Sequence, residues 1–332
     1  MSAQPTVTVC IPTYNRRALL ANSLASVLEQ DVDGLEIVVS DNASTDDTEE
    51  YVRSIGDPRI TYDRLPENIG LFGNLSRALH VGSGRYRVML PDDDLMLPGN
   101  LAAKVAFLEA NPSAGMVHSA FLNLGDDGRP YGEPQNWSRL EVDTLEKGHD
   151  FIRRSIAIGG IVCVSSVMTR SSVVADERFD PDDGPYADIA LWLRIANVSD
   201  VGFLAAPLSG YRVHAQSASS GFNLTNANQG GGETSRLTMS IHHADVTLQA
   251  HGRFVQRASL SPDEREELAE ILRGADKRMR LSIYANAYIP PKLLETAKKA
   301  AGWRPGGLMH SKLSLDGSLE DAERSHAGGG SK

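Results

Sequence analysis

Over residues 1–120 the hydrophobic pattern switches repeatedly between two periods. Residues 7–11 form a short β-branched apolar run that Pro12 stops, and residues 35–39 form a second, closed by Ser40-Asp41-Asn42. Between them Leu20, Leu24, Val27 and Leu28 recur at helical spacing, which predicts a helix reaching Gln30. Ser44 or Thr45 is placed to cap the next helix, whose first turn carries Asp46, Asp47 and Glu49 at the positive end of the helix dipole. A weaker strand over 59–62, a helix after Gly70, a strand over 86–90 and a helix over 97–110 follow. Asn111-Pro112 ends that helix.

Such βα alternation predicts an α/β protein with an open, mostly parallel sheet, whose ligands sit at the carboxyl ends of the strands. The polar clusters fall at those ends. Residues 12–15 (Pro-Thr-Tyr-Asn) follow the first strand, Asp41-Asn42 the second, and Asp92-Asp93-Asp94 the fourth. Beyond residue 120 the period is less regular. Residues 126–137, rich in Gly, Pro and Asp, read as a loop. Residues 155–169 read as a buried strand with its approaches, the strand itself over 161–168, and 189–196 as a helix. Residues 201–205 and 208–213 read as two final strands, and 216–233, with four Gly, as a loop. Residues 235–302 read as helices and the tail from 316 as disordered. The expected organisation is an α/β half over 1–120 with ligands at its strand ends, a second half over 121–232, a helical region over 233–315 and a tail over 316–332.

The chain has 332 residues, 43 acidic against 33 Lys and Arg, for a formal net charge of -10. That balance argues against a nucleic-acid binder, which would show a basic face. No apolar run is long enough for a membrane span, and the N-terminus lacks a charged start with an apolar secretory core. A peripheral contact with a membrane surface stays open. Two cysteines, Cys10 and Cys163, lie in apolar stretches and read as buried thiols of a cytoplasmic protein.

The triplet Asp92-Asp93-Asp94 carries the clearest chemistry. Two carboxylates ~4 Å apart repel by ~1 kcal/mol in water and ~4 kcal/mol at an effective dielectric near 20. A strand end in a cleft therefore suits three of them only with a cation, and an oxygen-only donor set suits Mg²⁺ or Mn²⁺. The bland reading is a turn that caps the helix over 97–110.

Residues 7–16 (Val-Thr-Val-Cys-Ile-Pro-Thr-Tyr-Asn-Arg), 36–46 (Glu-Ile-Val-Val-Ser-Asp-Asn-Ala-Ser-Thr-Asp), 68–70 (Asn-Ile-Gly) and 86–94 (Tyr-Arg-Val-Met-Leu-Pro-Asp-Asp-Asp) resemble the successive signatures of family 2 glycosyltransferases. The resemblance runs from residue 6 to about residue 217. It implies a GT-A fold: a Rossmann-like, mostly parallel sheet flanked by helices, here with a C-terminal helical extension. It also implies an inverting, metal-dependent sugar transfer from a nucleoside-diphosphate sugar, most often a UDP-sugar, to a carbohydrate or glycoside hydroxyl.

By that resemblance Pro12, Thr13 and Tyr14 line the nucleobase pocket, Arg16 joins the donor set, and Asp41 accepts a hydrogen bond from the base. Asn68 and Gly70 shape the loop near ribose and diphosphate. Asp92 and Asp93 belong with the donor, Asp93 touching ribose or metal, and Asp94 is the principal metal ligand. Where many members carry Ala-Arg-Asn, residues 74–76 are Asn-Leu-Ser. Asn74 is the substitute candidate there, and Arg77 is out of register. Residues 186–194 (Tyr-Ala-Asp-Ile-Ala-Leu-Trp-Leu-Arg) resemble the segment that carries the general base, which makes Asp188 the base, although Ala187 replaces the usual Glu. Asp182 and Asp183 stand nearby in a turn-like Asp-Asp-Gly. Residues 211–217 resemble the family's Arg-X-His segment, implying a metal or diphosphate contact for His214 and a phosphate contact for Arg212. Two other classes compete. A nucleotidyltransferase would show a Gly-rich basic loop after the first strand, which 12–16 is not, and a noncatalytic sugar-nucleotide binder would be expected to lack the intact Asp triplet.

Overall fold

All seven residues of β1 (Val7–Thr13) are buried, and β2 (Leu35–Asp41) is buried at all but one position. Runs of that kind are covered on both faces, as in parallel sheets. The computed structural model describes residues 4–159, 162–213 and 233–288. Around β1 and β2 stand α1 (Arg17–Leu28), α2 (Thr48–Ile55), β3 (Ile60–Arg64), α3 (Gly70–Ala78), β4 (Tyr86–Met89), the two-residue β5 (Leu95–Met96) and α4 (Asn100–Ala110). Then come β6 (Ala114–Leu124), β7 (Pro130–Gln135), β8 (Thr144–Glu146), α5 (Gly148–Ile158), β9 (Met168–Arg170), α6 (Ala187–Ala196), β10 (Asp200–Arg212), α7 (Glu233–Arg257) and α8 (Pro262–Tyr288).

The sheet runs β3-β2-β1-β4-β9-β6-β10-β5, with β7 on β6 and β8 on β10. Strands β1 to β4 pair in parallel, as do β6 and β10, while β9 is antiparallel to both β4 and β6. Alternate residues of β1 feed two cores. Val7, Val9 and Ile11 pack with Leu20, Leu24 and Val27 of α1 and Leu101 and Leu108 of α4. Cys10 belongs to the opposite core with Ala78 of α3, Phe151 of α5, Trp192 of α6 and Phe254 of α7. Helices on both faces of a mostly parallel sheet are the architecture expected from the βα alternation. Residues 1–276 form one compact unit. In the second, 277–332, the described residues are the last turns of α8. The Pro290-Pro291 break and the tail lie outside the described residues. Both cysteines are buried and free.

Four expectations need correction. Of the expected strand over 161–168, residue 161 lies outside the described residues and 162–167 are not a strand: Ser166 sends both its N–H (3.0 Å) and its hydroxyl (2.6 Å) to the Cys163 carbonyl, closing a turn, and the ladder starts only at Met168. The run before them is the end of α5, so apolarity there reports burial rather than extension. Residues 126–137 are not all loop, because β7 pairs antiparallel with β6. It is an exposed edge strand, where polar residues and Pro130 and Pro134 are tolerated. The two final strands are one, β10, whose pairing with β6 slips on either side of Pro207. Ser44 and Thr45 do not cap α2; Asp47 occupies the N-cap position without a side-chain bond, and the Ser44 hydroxyl goes to Asp41 instead.

Candidate functional site

In the order β3-β2-β1-β4 the chain direction of winding reverses at β1, so the crevice for a ligand opens between the carboxyl ends of β1 and β4. The first strand turns there through Asn15, which adopts a left-handed φ of 53°, a conformation Asn tolerates better than most residues. Its N–H donates to Ser44 Oγ (2.9 Å) and its side-chain oxygen accepts from the Thr45 N–H (2.7 Å). That turn aims two side chains across the crevice. Thr13 Oγ1 donates to Asp92 Oδ2 (2.7 Å), and Arg16 Nη1 donates to Asp92 Oδ1 and Asp93 Oδ2, both at 3.2 Å. Tyr14 stands beside them, 43% exposed, so it is not a buried core aromatic. Pro12 is buried.

All three carboxylates of the triplet are buried. They sit in a turn closed by the Asp94 N–H to the Pro91 carbonyl (3.1 Å), and β5 intervenes before α4 begins at Asn100. The helix-cap reading of the triplet therefore fails. Asp94 Oδ1 accepts the Arg212 N–H (2.8 Å), and the nearby Ser165 hydroxyl also favours the charged form of this carboxylate. Burial, then repulsion from Asp93, pushes Asp92 up to about 6 against the pull of Arg16 and Thr13. The same two causes raise Asp94 well above the usual carboxylate range. Among the described residues no three His, Cys, Asp or Glu form a self-sufficient metal cage. One or two carboxylates completed by ligand phosphates is how Mg²⁺ is usually held, so the donor set fits a divalent cation.

Asp188 occupies the first turn of α6, half-buried. Burial raises its carboxyl to about 6, opposed by the first-turn N–H groups of Ile189 and Asp188 itself. Cys163 stands near both acidic positions: its thiol, raised chiefly by burial, also feels the charges of Asp94 and Asp188. Asp188 and the triplet thus share a neighbourhood. Asp183 is occupied otherwise, buried against Arg194 (3.1 Å), Arg253 (3.5 Å) and Arg257 (3.7 Å). Asp182 is exposed.

The family model for glycosyl transferase family 2 matches residues 8–173. The chain belongs to this family. Among family relatives, a GalNAc(5)-diNAcBac-PP-undecaprenol beta-1,3-glucosyltransferase of Campylobacter jejuni is 40% identical over 102 residues, 30% of this chain and 33% of that one. The chain spans about half the length of other curated relatives it matches. S. aureus TarS 1-349 in complex with UDP-GlcNAc superposes with a TM-score of 0.59 at 16% identity, covering 90% of this chain and 80% of that one. The Pyrobaculum calidifontis mannosyltransferase PcManGT, solved with GDP-Man and Mn2+, gives 0.56 at 22% identity over 92% and 83%. The architecture is the GT-A fold.

Several residues that the family resemblance singles out are held by the protein itself. The Asp41 carboxylate is fully buried, with Oδ1 accepting the Ser44 N–H (2.9 Å) and hydroxyl (2.6 Å) and Oδ2 accepting the Tyr62 hydroxyl. Asn68 Oδ1 accepts Asn42 Nδ2 (2.9 Å) and the Gly70 N–H (2.8 Å), while Asn42 Oδ1 accepts the Ile69 N–H (2.9 Å). Gly70 opens α3 at a φ of 79°, which strains any residue with a Cβ. Asn74 exchanges two bonds with Ser40, accepting its hydroxyl (2.9 Å) and donating to its carbonyl (3.2 Å), and so ties α3 to β2. Arg77 also reaches Ser40 Oγ (2.6 Å) and pairs with Asp63. Arg212 is corrected: its guanidinium spans the carbonyls of Asp93 (2.8 Å), Gly125 (3.1 Å) and Asp126 (3.0 Å), a backbone clamp rather than a phosphate contact. His214 and the loop over 216–232 lie outside the described residues.

Sequence reasoning missed what lies beneath the triplet. Lys104 of α4 is wholly buried and donates to Asn100 Oδ1 (3.0 Å). Asn100 donates to Ser209 Oγ (3.1 Å) and Ser209 Oγ to the Ser165 carbonyl (2.9 Å), and the Ser165 hydroxyl is close enough to lower the Asp94 pKa. Burial pulls the Lys104 ammonium down to about 7 from its ordinary 10.5, so above neutrality the unfolded chain holds a proton that the folded protein has released. Stability is therefore expected to rise between pH 7 and about 9 by more in the wild type than in Lys104→Met, as read by urea unfolding at both pH values.

Proposed function

We propose that this chain transfers a sugar from a nucleoside-diphosphate sugar, a UDP-sugar in the first instance, to a hydroxyl of a glycan or glycoside, with inversion and with Mg²⁺ or Mn²⁺ as cofactor. One observation carries the reading: Thr13, Arg16 and the Asp92–Asp94 triplet converge where β1 and β4 diverge, with Asp188 near enough for Cys163 to feel both it and Asp94. The neighbouring folds solved with UDP-GlcNAc and with GDP-Man and Mn2+ support it.

In this reading Tyr14 offers its exposed ring to the base, and the turn pinned by Asp41, Ser44 and Asn15 holds it there. Asn68 and Gly70 set the loop beside the ribose, with Asn42 as their anchor. Arg16 fixes Asp92 and Asp93 facing the diphosphate. Asp94 and Asp93, with His214 proposed as a further ligand, would hold the cation, which supplies positive charge to the departing diphosphate. Asp188 takes the acceptor proton while the acceptor oxygen bonds to the anomeric carbon and the bond from that carbon to the diphosphate oxygen breaks. Buried reduced thiols support action in the cytoplasm.

The test is release of nucleoside diphosphate from a panel of UDP-, GDP- and dTDP-sugars with Mn²⁺. No release from any of them, with or without saccharide acceptors, would sink the proposal. On the productive donor Tyr14→Ala is expected to raise KM about tenfold, since stacking on a base is worth ~1–3 kcal/mol, and to leave kcat within a few-fold. The base is remote from the reacting carbon, so the contact is equally strong before and during reaction. A collapsed kcat at constant KM would move Tyr14 elsewhere.

A further inference from the structure

An aromatic cluster built on Tyr211, one residue from Arg212, has no role in the reading above. Phe121 of β6, Trp137 just after β7 and Tyr211 of β10 meet at near-right angles, with Trp137 4.8 Å from Phe121 and 6.0 Å from Tyr211 between ring centroids, and Phe121 5.9 Å from Tyr211. Phe121 is buried, but Trp137 keeps 41% of its surface exposed. Tyr131, on the same hairpin and opposite Asn123 in the ladder, is 50% exposed. Two neighbouring rings hold the indole in place while much of it still faces water. An ordered, exposed Trp in a site wall is an informative feature, unlike a scattered surface apolar residue.

Its position is set by β10. Side chains alternate along a strand, so Tyr211 shares a face with Ser209 and not with Arg212. Ser209 Oγ bonds to the Ser165 carbonyl, and Cys163 Sγ lies 3.2 Å from the Ser165 hydroxyl. Through Tyr211 the aromatic cluster sits at the carboxyl end of β10, where that strand also meets Asp94. Tyr211 is one residue from Arg212, whose N–H holds Asp94.

We infer that Trp137, backed by Tyr211, is the platform on which a pyranose ring of the acceptor stacks before its hydroxyl meets Asp188; this rests on the transferase reading above. A pyranose presents a patch of polarised C–H bonds on one face and hydroxyls around its rim. The negative face of an aromatic ring attracts the former, and Trp combines the largest such face with an N–H donor. Two polar residues beside Trp137 suit the rim, the exposed Arg139 and the half-buried Gln135, whereas Ser138 is buried with its hydroxyl on Asn136 Oδ1. A lipid tail or an apolar helix would ask instead for a continuous apolar surface.

Saturation-transfer NMR tests this with methyl glycopyranosides of glucose, galactose, mannose, N-acetylglucosamine and rhamnose as probes. The samples hold the full chain, Mn²⁺-free, with UDP, GDP or dTDP and Mg²⁺. Saturation is expected to reach the C–H protons of at least one probe in the wild type. It should fall at least fivefold in Trp137→Ala and be partly restored in Trp137→Phe, with nucleotide affinity within twofold in both. Trp137→Phe keeps an aromatic ring against Phe121 and Tyr211, so it reads the platform even if the alanine variant loses its fold. Undiminished saturation in Trp137→Ala, or in Trp137→Phe should that be the only folded variant, overturns the inference. So does a wild type that binds nucleotide but saturates no probe. A wild type that binds none of the three nucleotides overturns the transferase reading, and the inference falls with it.

Discussion

Asp94→Asn is expected to lower the rate of diphosphate release at least a hundredfold while leaving the protein as stable as the wild type or more so. A hundredfold corresponds to about 2.7 kcal/mol of transition-state stabilisation, within what a single metal-borne charge supplies. The asymmetry between activity and stability follows from the environment. Asn keeps the shape and an oxygen for the Arg212 N–H, but it loses the charge that a cation needs. It also removes the repulsion from Asp93 and the desolvation that raise the Asp94 pKa, both of which burden the folded state at neutral pH. A carboxyl raised in this way is stabilising when protonated, and that contribution is lost as pH climbs through the folded pKa, so replacing it at pH 7 removes a cost. Excess chelator should silence the wild type to the same degree, and Mn²⁺ or Mg²⁺ should restore it but not the variant. Full turnover in excess EDTA would remove the metal from the reading.

How much of this was legible in the chain differs sharply between its halves. β1, β2 and β4 are mostly apolar, broken once each before the polar residues that end them by Thr8, Glu36 and Arg87, so the strand ends and the chemistry placed on them could be read off directly. β6 could not: His118 and Ser119 interrupt its apolar run, although both are buried with it. The His118 ring packs against Phe151 and Phe203, and burial holds it neutral with its pKa down near 3. A polar residue that the tertiary structure buries looks, in one dimension, like a surface residue. β7 failed for the opposite reason, since an exposed edge strand carries the composition of a loop. Residues 161–168 failed because a fully buried turn is as apolar as a central strand.

The site divides in the same way. Tyr14, Arg16 and the triplet sit in local motifs whose spacing survives as geometry. The supporting contacts join segments far apart in the chain and leave no local pattern. Asp41 meets Tyr62 across two strands, Arg212 clamps the carbonyls of residues 93, 125 and 126, and the path from Lys104 to Asp94 runs through Asn100, Ser209 and Ser165. Arg212 shows the hazard of reading charge by itself. Beside a presumed diphosphate a guanidinium suggests a phosphate ligand, yet three carbonyl oxygens already occupy this one.

Asp188→Asn separates catalysis from binding most cleanly, and it is expected to bind donor and metal nearly normally while losing at least about a hundredfold in kcat. An acceptor hydroxyl is a poor nucleophile until a base removes its proton, and a positioned base is typically worth ~10²–10⁴ in rate. The amide retains an oxygen for the first-turn N–H of Ile189, so α6 should start where it does now. Burial raises the Asp188 carboxyl to about 6, which sets the sign of the pH response. The base works only when deprotonated, so wild-type kcat should be level above pH 7 and fall as pH drops through about 6, and the residual activity of the variant should lack that limb. Asp183 is no substitute, because Arg194, Arg253 and Arg257 surround its buried carboxylate, and Asp182 is exposed. A folded Asp188→Asn protein that transfers sugar at near the wild-type rate would therefore leave the described residues of this segment without a base. A variant that folds but cannot bind donor would make Asp188 structural, a first-turn anchor of α6 whose carboxylate serves the helix and not the acceptor.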